Sequence, residues 1–168
     1  MGDFNYESYC GLYCGACSIL KAYQTGQKDK FALFWAGEAG LELKCHGCKT
    51  DQVFAGCSMC KMRECAIGKK VERCLECSDF PCSQFNMEEH KYISSKLPHL
   101  KTIVDNLAVI GNIGVDQWLE DQGKLWKCPE CQTEYTWYAD YCIKCGKDLK
   151  EIKGFKNEFD SSIFGLKK

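Results

Sequence analysis

Cys128-Pro129-Glu130-Cys131, followed after ten residues by Cys142-Ile143-Lys144-Cys145-Gly146, is a pair of C-x-x-C knuckles joined by a short connection. A turn of this spacing points two thiolates at one external point, about 2.3 Å from a shared metal ion. Two such turns give the closed tetrahedral donor set of a zinc ribbon. A rubredoxin-type iron site uses similar knuckles with a much longer connection, so the spacing favours zinc. Trp126, Tyr135, Trp137, Tyr138 and Tyr141 alternate with polar residues as a β-hairpin requires, and they are the natural core of so small a module. Gly146 suits a knuckle that needs a residue at positive φ. Residues 124–150 are therefore expected to form a β-hairpin zinc ribbon.

Outward from this motif, four further C-x-x-C pairs occur, Cys14/Cys17, Cys45/Cys48, Cys57/Cys60 and Cys74/Cys77, with Cys10, Cys65 and Cys82 beside them. Disulfides are disfavoured: the total of 15 is odd, and Met1-Gly2-Asp3-Phe4-Asn5 does not read as a secretory signal, which predicts a reducing cytoplasmic setting. Metal is the expected use of these thiols as well. Cys57-Cys60-Cys65 and Cys74-Cys77-Cys82 repeat one spacing, C-x2-C-x4-C, whereas Cys10-Cys14-Cys17 differs. Eleven thiolates can supply one to three sites; a compact pairing joins Cys45/Cys48 to Cys57/Cys60. Zinc is the first expectation and a [4Fe–4S] cluster, on Cys10, Cys14, Cys17 and Cys82, the second. The C-x3-C-x2-C triad also occurs in radical S-adenosylmethionine enzymes, but too little chain follows it for their barrel. Cys14-Gly15-Ala16-Cys17 has the form of a disulfide-reductase pair, which needs a βαβ frame that the flanking sequence does not offer.

Composition supports metals in place of a large core. Cysteine, at about 9% of the chain, lies in the range where cross-links or metals take over that work. The longest apolar stretch, Phe31 to Gly37, is far too short to cross a bilayer. Elsewhere the periodicity is helical. Ser18 to Tyr23 reads as a short helix ending near Gly26; Asp29 caps a second, carrying Phe31, Phe34 and Trp35, that stops at Gly37 or Gly40. Ligands rather than burial should shape residues 45–82. Ser83 to Lys96 reads as a polar helix ended by Pro98. Leu100, Ile103, Val104, Leu107 and Ile110 make an amphipathic one with Gly111 beyond, and Val115, Trp118 and Leu119 a last one closed by Gly123. The fold expected is a small, metal-stabilised, mainly α chain with irregular cysteine-rich loops. It divides into a helical metal-binding domain (1–123), the ribbon (124–150) and a tail (151–168). Phe155, Phe159, Ile163 and Phe164 let that tail pack back on the body or dock a partner.

Formal net charge is −1, and each four-thiolate zinc site adds about −2, so metallation makes the chain more acidic. That argues against nucleic acid as a partner. The basic run Lys61, Arg63, Lys69, Lys70 and Arg73 is diluted by Glu64 and Glu72 and reads as a solvated face. His46 lies inside a knuckle, His90 among surface charges and His99 after Pro98. No residue set reads as catalytic.

With these residues laid out, the chain resembles a cysteine-rich family of unknown function, numbered 3795, found mainly in anaerobic bacteria and archaea. The likeness starts at Tyr9-Cys10-Gly11-Leu12-Tyr13-Cys14-Gly15-Ala16-Cys17. It continues through Cys45-His46-Gly47-Cys48, Cys57 and Cys60, Met62-Arg63-Glu64-Cys65-Ala66 and Cys74-Leu75-Glu76-Cys77-Ser78-Asp79-Phe80-Pro81-Cys82. Asn106-Leu107, Gly114, Trp118-Leu119, Gln122 and Trp126-Lys127-Cys128-Pro129 resemble features of some members. Ser18 departs from the proline common in relatives. The resemblance implies metal binding in a cytoplasmic setting and no defined activity. The expected function is a zinc-binding interaction module that binds another protein. The alternatives are an iron–sulfur protein for electron transfer or redox sensing, and a thiol oxidoreductase using Cys14 and Cys17.

Overall fold

Ser18–Thr25 (α1) opens the helical body. The structure is a computed structural model and describes residues 3–85 and 87–165. Asn86, inside the expected helix from Ser83, and the last three residues of the tail lie outside it. Lys30–Ala36 forms α2, Ala55–Ser58 α3, Lys61–Lys69 α4, Met87–Lys96 α5, Ile103–Ile113 α6 and Val115–Leu125 α7. The chain is thus mainly helical, and among the described residues no helix is long and apolar enough to cross a membrane.

The first two helices form where the sequence places them, and Asp29 is the reason they stay together. Its Oδ1 accepts from the Phe31 and Ala32 N–H groups at 3.0 and 2.9 Å, the N-cap of α2. Its Oδ2 accepts from the Ser18 hydroxyl at 2.5 Å, the Thr136 hydroxyl at 2.6 Å and the Tyr138 N–H at 3.3 Å. One carboxylate therefore ties α1, α2 and the segment between the C-terminal knuckles. Asp29→Ala is expected to cost about 2–4 kcal/mol, a lost cap plus two hydroxyls without their acceptor. Denaturant midpoints measure it, and Asp29→Asn, which keeps one acceptor oxygen, should recover part of the loss. A cost below about 1 kcal/mol would contradict the hub role.

Later elements shift. Gly111 sits inside α6, which runs on to Gly114, and α7 passes through Gly123 to Leu125. The expected polar helix from Ser83 is a 3-10 turn, Ser83–Phe85, followed by α5. Pro98 begins a further 3-10 turn that leads into α6.

Two buried clusters hold the body. The larger takes Tyr13, Ile19, Leu20, Phe31 and Trp118 from the N-terminal part, and Trp126, Trp137, Tyr138 and Leu149 from beyond residue 124. Phe155, Phe159 and Phe164 of the tail pack on it. Of the two fates open to the tail, packing back is the one observed. Phe159 meets Phe31 at 4.9 Å, Phe164 meets Trp35 at 4.5 Å, and Asp160 pairs with Lys96 at 2.6 Å. The smaller cluster joins Phe85, Ile103 and Leu107 to Cys10, Cys74 and Cys82.

The expected β-hairpin is not formed. Among the described residues there is no strand around the C-terminal knuckles, only isolated antiparallel bridges, Lys127 with Glu134 and Tyr141 with Asp148. The reason lies in Trp137 and Tyr138. These neighbours are 5% and 0% exposed, whereas a strand would send consecutive side chains to opposite faces. A turn, closed by the Ala139 N–H to Thr136 O at 3.2 Å, buries both.

Candidate metal centre

Each bridge closes one knuckle, and the two knuckles are built alike. The Cys128 N–H donates to Thr133 O and the Gln132 N–H to Cys128 O, both at 2.9 Å. Fourteen residues on, the Cys142 N–H donates to Lys147 O and the Gly146 N–H to Cys142 O, both at 2.8 Å. The residue after the second cysteine is left-handed in each, Gln132 at φ 60° and Gly146 at φ 75°. Glycine reaches that conformation without strain; Gln132 does so at a cost that its turn must hold in place.

This construction makes the four sulfurs converge. Cys128 and Cys145 are 3.6 Å apart, Cys131 and Cys142 3.4 Å, and all four lie within 4.8 Å of one another. Cys128 and Cys142 are buried, Cys131 half-buried and Cys145 exposed. The Thr133 hydroxyl, 3.3 Å from Cys131 Sγ, and the Thr133 N–H hold the Cys131 thiol down to about 6. The Lys147 N–H lowers Cys145, but lost solvation and the three neighbouring sulfurs outweigh it and push that thiol up to about 12. Four such donors, soft and converging, could hold a metal ion.

The aromatic residues of this unit serve as core, with one exception. Trp126, Tyr135, Trp137 and Tyr138 are buried; Tyr141 is exposed under Lys150, whose Nζ is 4.9 Å from the ring centroid. Lys21, itself buried, reaches Glu134 at 2.5 Å, and Lys30 reaches Asp140 at 3.1 Å, so charged pairs clamp the knuckles to α1 and α2.

The eleven other cysteines do not converge in this way. Among the described residues, the C-terminal four are the one group of three or more donors within 4.8 Å of one another. The compact pairing of Cys45/Cys48 with Cys57/Cys60 is not drawn into such a set. Seven of the eleven pack on the two buried clusters. Cys14, Cys17, Cys45 and Cys48 pack in or against the larger cluster; Cys10, Cys74 and Cys82 pack against the smaller one. Burial pushes Cys14 well above the usual thiol range, and the adjoining Cys48, Cys17 and Cys45 add to it. Burial likewise pushes Cys17 up to about 12. The pair lacks the depressed thiol that a disulfide reductase uses.

Three N-terminal C-x-x-C turns share one local form. The second cysteine returns its N–H to the first one's carbonyl, at 3.0 Å for Cys17 and Cys14, 3.2 Å for Cys60 and Cys57, and 3.1 Å for Cys77 and Cys74. Cys17 and Cys60 then stand as N-caps of α1 and α4.

The histidines are not placed as ligands. His46 packs against Phe4 at 5.0 Å and Tyr23 at 5.5 Å. His99, which follows Pro98, is buried; its Nδ1 lies 2.7 Å from the Tyr138 hydroxyl and its ring stacks on Trp137 at 4.2 Å. Burial pulls its pKa down to about 3, so it stays neutral.

No curated protein and no solved structure matches the chain significantly. A family model does match, over residues 6–87, and its description is protein of unknown function (DUF3795). The matched stretch takes in all eleven N-terminal cysteines and stops short of Asn106-Leu107, of Trp118-Leu119 and of the C-terminal knuckles, where the resemblance had been expected to continue. Residues 6–87 are thus similar to the cysteine-rich family DUF3795, and a four-cysteine unit follows them.

Proposed function

We propose that this is a cytoplasmic zinc-binding protein with no catalysis of its own, an interaction module whose metals fix its shape and whose surface binds another protein. The convergence of Cys128, Cys131, Cys142 and Cys145 supports the reading most directly. Thiolates about 2.3 Å from one tetrahedral ion lie about 3.8 Å apart, close to the 3.4 and 3.6 Å separations found here. An iron–sulfur cube would force its four thiolates farther out. Four protein donors also close the coordination sphere, which leaves no position for a reacting water and favours a structural role. When bound, the ion supplies folding free energy, on the order of 10 kcal/mol in small zinc peptides. The chain's own part is to aim the sulfurs and donate N–H groups to them.

Anaerobic purification, elemental analysis and a visible spectrum test this proposal. Colourless protein carrying zinc is the expected result. Brown protein with inorganic sulfide and broad absorption near about 400 nm would replace zinc by a cluster.

A further inference from the structure

Four cysteines outside the C-terminal group line one cavity of about 20 Å³: Cys65, Cys74, Cys77 and Cys82. Local folding brings them there from helix α4 and the two turns that follow it. Cys65 lies on α4, which ends where Lys70 turns the chain at φ 56° and the Val71 N–H closes on Ala66 O at 3.1 Å. The returning strand of chain is pinned when the Cys74 N–H donates to Tyr9 O at 2.8 Å. The Cys77 N–H then closes on Cys74 O, and the Phe80 N–H returns to Cys77 O at 3.0 Å, which brings Cys82 back over the same cavity. Phe85, whose N–H donates to Cys82 O at 2.9 Å, is buried and forms a wall.

Two observations separate this pocket from ordinary packing. The first is Lys69, whose Nζ donates to Cys77 Sγ at 3.4 Å while pairing with Asp79. An ammonium aimed at sulfur is the outer partner that a metal-bound thiolate takes, and cysteines packing as small apolar groups have no use for it. The second is the lining. Met62, Ala66, Val71 and Phe85 make an apolar wall, and the four cysteines share the rest of the lining with Lys69 and Gln84. A space of this size holds about one water-sized sphere. That is room for one ion. The sulfurs are more widely set than the C-terminal four, so binding draws them inward.

We propose that Cys65, Cys74, Cys77 and Cys82 form a second thiolate site for a single zinc ion, with Lys69 as the hydrogen-bond donor that balances its charge. Each Zn–S bond replaces an S–H bond whose proton leaves to the buffer, and no electron is transferred. The proposal rests on the reading of the chain as metal-organised, but it stands or falls on different residues from the C-terminal site.

The test uses the full chain purified without air or chelator. Cys74→Ser with Cys77→Ser should carry one zinc fewer per chain than the parent, Cys142→Ala should lose a different one, and the combination two. Should the Cys74/Cys77 variant keep the parental zinc count while Cys142→Ala loses an ion, the second site is overturned and the C-terminal one stands. If neither variant loses zinc, both readings fail. Because the double variant can misfold, alkylation of the parent protein is a second readout. Cys65, Cys74, Cys77 and Cys82 are only half-buried, yet they should label at least about tenfold more slowly with zinc than after chelation, the scale on which one metal-site partner acts. Equal labelling in both states overturns the site. Lys69→Met should weaken the ion held here about 10–100-fold, read by competition with a colorimetric chelator. An unchanged affinity removes Lys69 from the site.

Discussion

Cys142→Ala is expected to lower stability by on the order of 5 kcal/mol, about half the lower bound for a structural zinc in a small peptide. For a chain of this size that is a fall in Tm of about 10–20 °C. Cys142 is 3% exposed and faces Cys131 at 3.4 Å, so its loss opens the four-sulfur group from the inside. Alanine leaves little void, which keeps the lost ligand the dominant effect. The effect should also spread. The buried cluster crosses residue 124, where the cysteine pattern changes, and joins Trp137, Tyr138 and Leu149 to Leu20 and Phe31. Calorimetry of the parent is therefore expected to give one transition rather than two. Two transitions, with Cys142→Ala moving only the smaller, would make residues 124–150 a module that folds alone.

Tyr138→Ala should cost a similar amount with every metal ligand intact. Tyr138 is 0% exposed, stacks on Phe31 at 5.0 Å and meets Phe159 at 5.2 Å. Truncating a buried aromatic costs about 3–5 kcal/mol. The neutral His99 also loses its hydroxyl partner, which adds about 1–3 kcal/mol. Tyr138→Phe separates the two effects, because it keeps the ring and removes only the hydroxyl. Thermal unfolding of the three proteins measures both, and a Tm for Tyr138→Ala within about 2 °C of the parent would contradict the shared core.

Much of this arrangement was legible in local sequence chemistry. Asp29 before Phe31 and Phe34 announced a cap, and Gly146 after Cys145 announced a left-handed knuckle. The opposite knuckle carries Gln132, which has no such preference, and its conformation became visible only with the turn's hydrogen bonds. The aromatic run misled because alternation implies a strand only when one face is buried; Trp137 and Tyr138 are both buried, against α2 and His99. Helix α4 escaped notice because it is polar on nearly every side, with Ala66 alone buried. His99 gave no signal, since its partner lies 39 residues away. Thiol grouping was hidden for the same reason. Only the fold reveals that Cys74 sits beside Tyr9 and Cys10 while Cys14 turns toward Cys48.

Stripping metal from the native chain, then restoring it, reaches the heart of the account. Thermal unfolding is followed as bound ions are removed with a strong chelator under reducing, air-free conditions and zinc is added back. The Tm should fall by at least about 10 °C on removal, as the loss of a structural ion requires, and should return as zinc refills Cys128, Cys131, Cys142 and Cys145. A chain that is fully metal-free by elemental analysis and still melts at its original temperature would contradict the claim that these sulfurs hold the fold together through an ion.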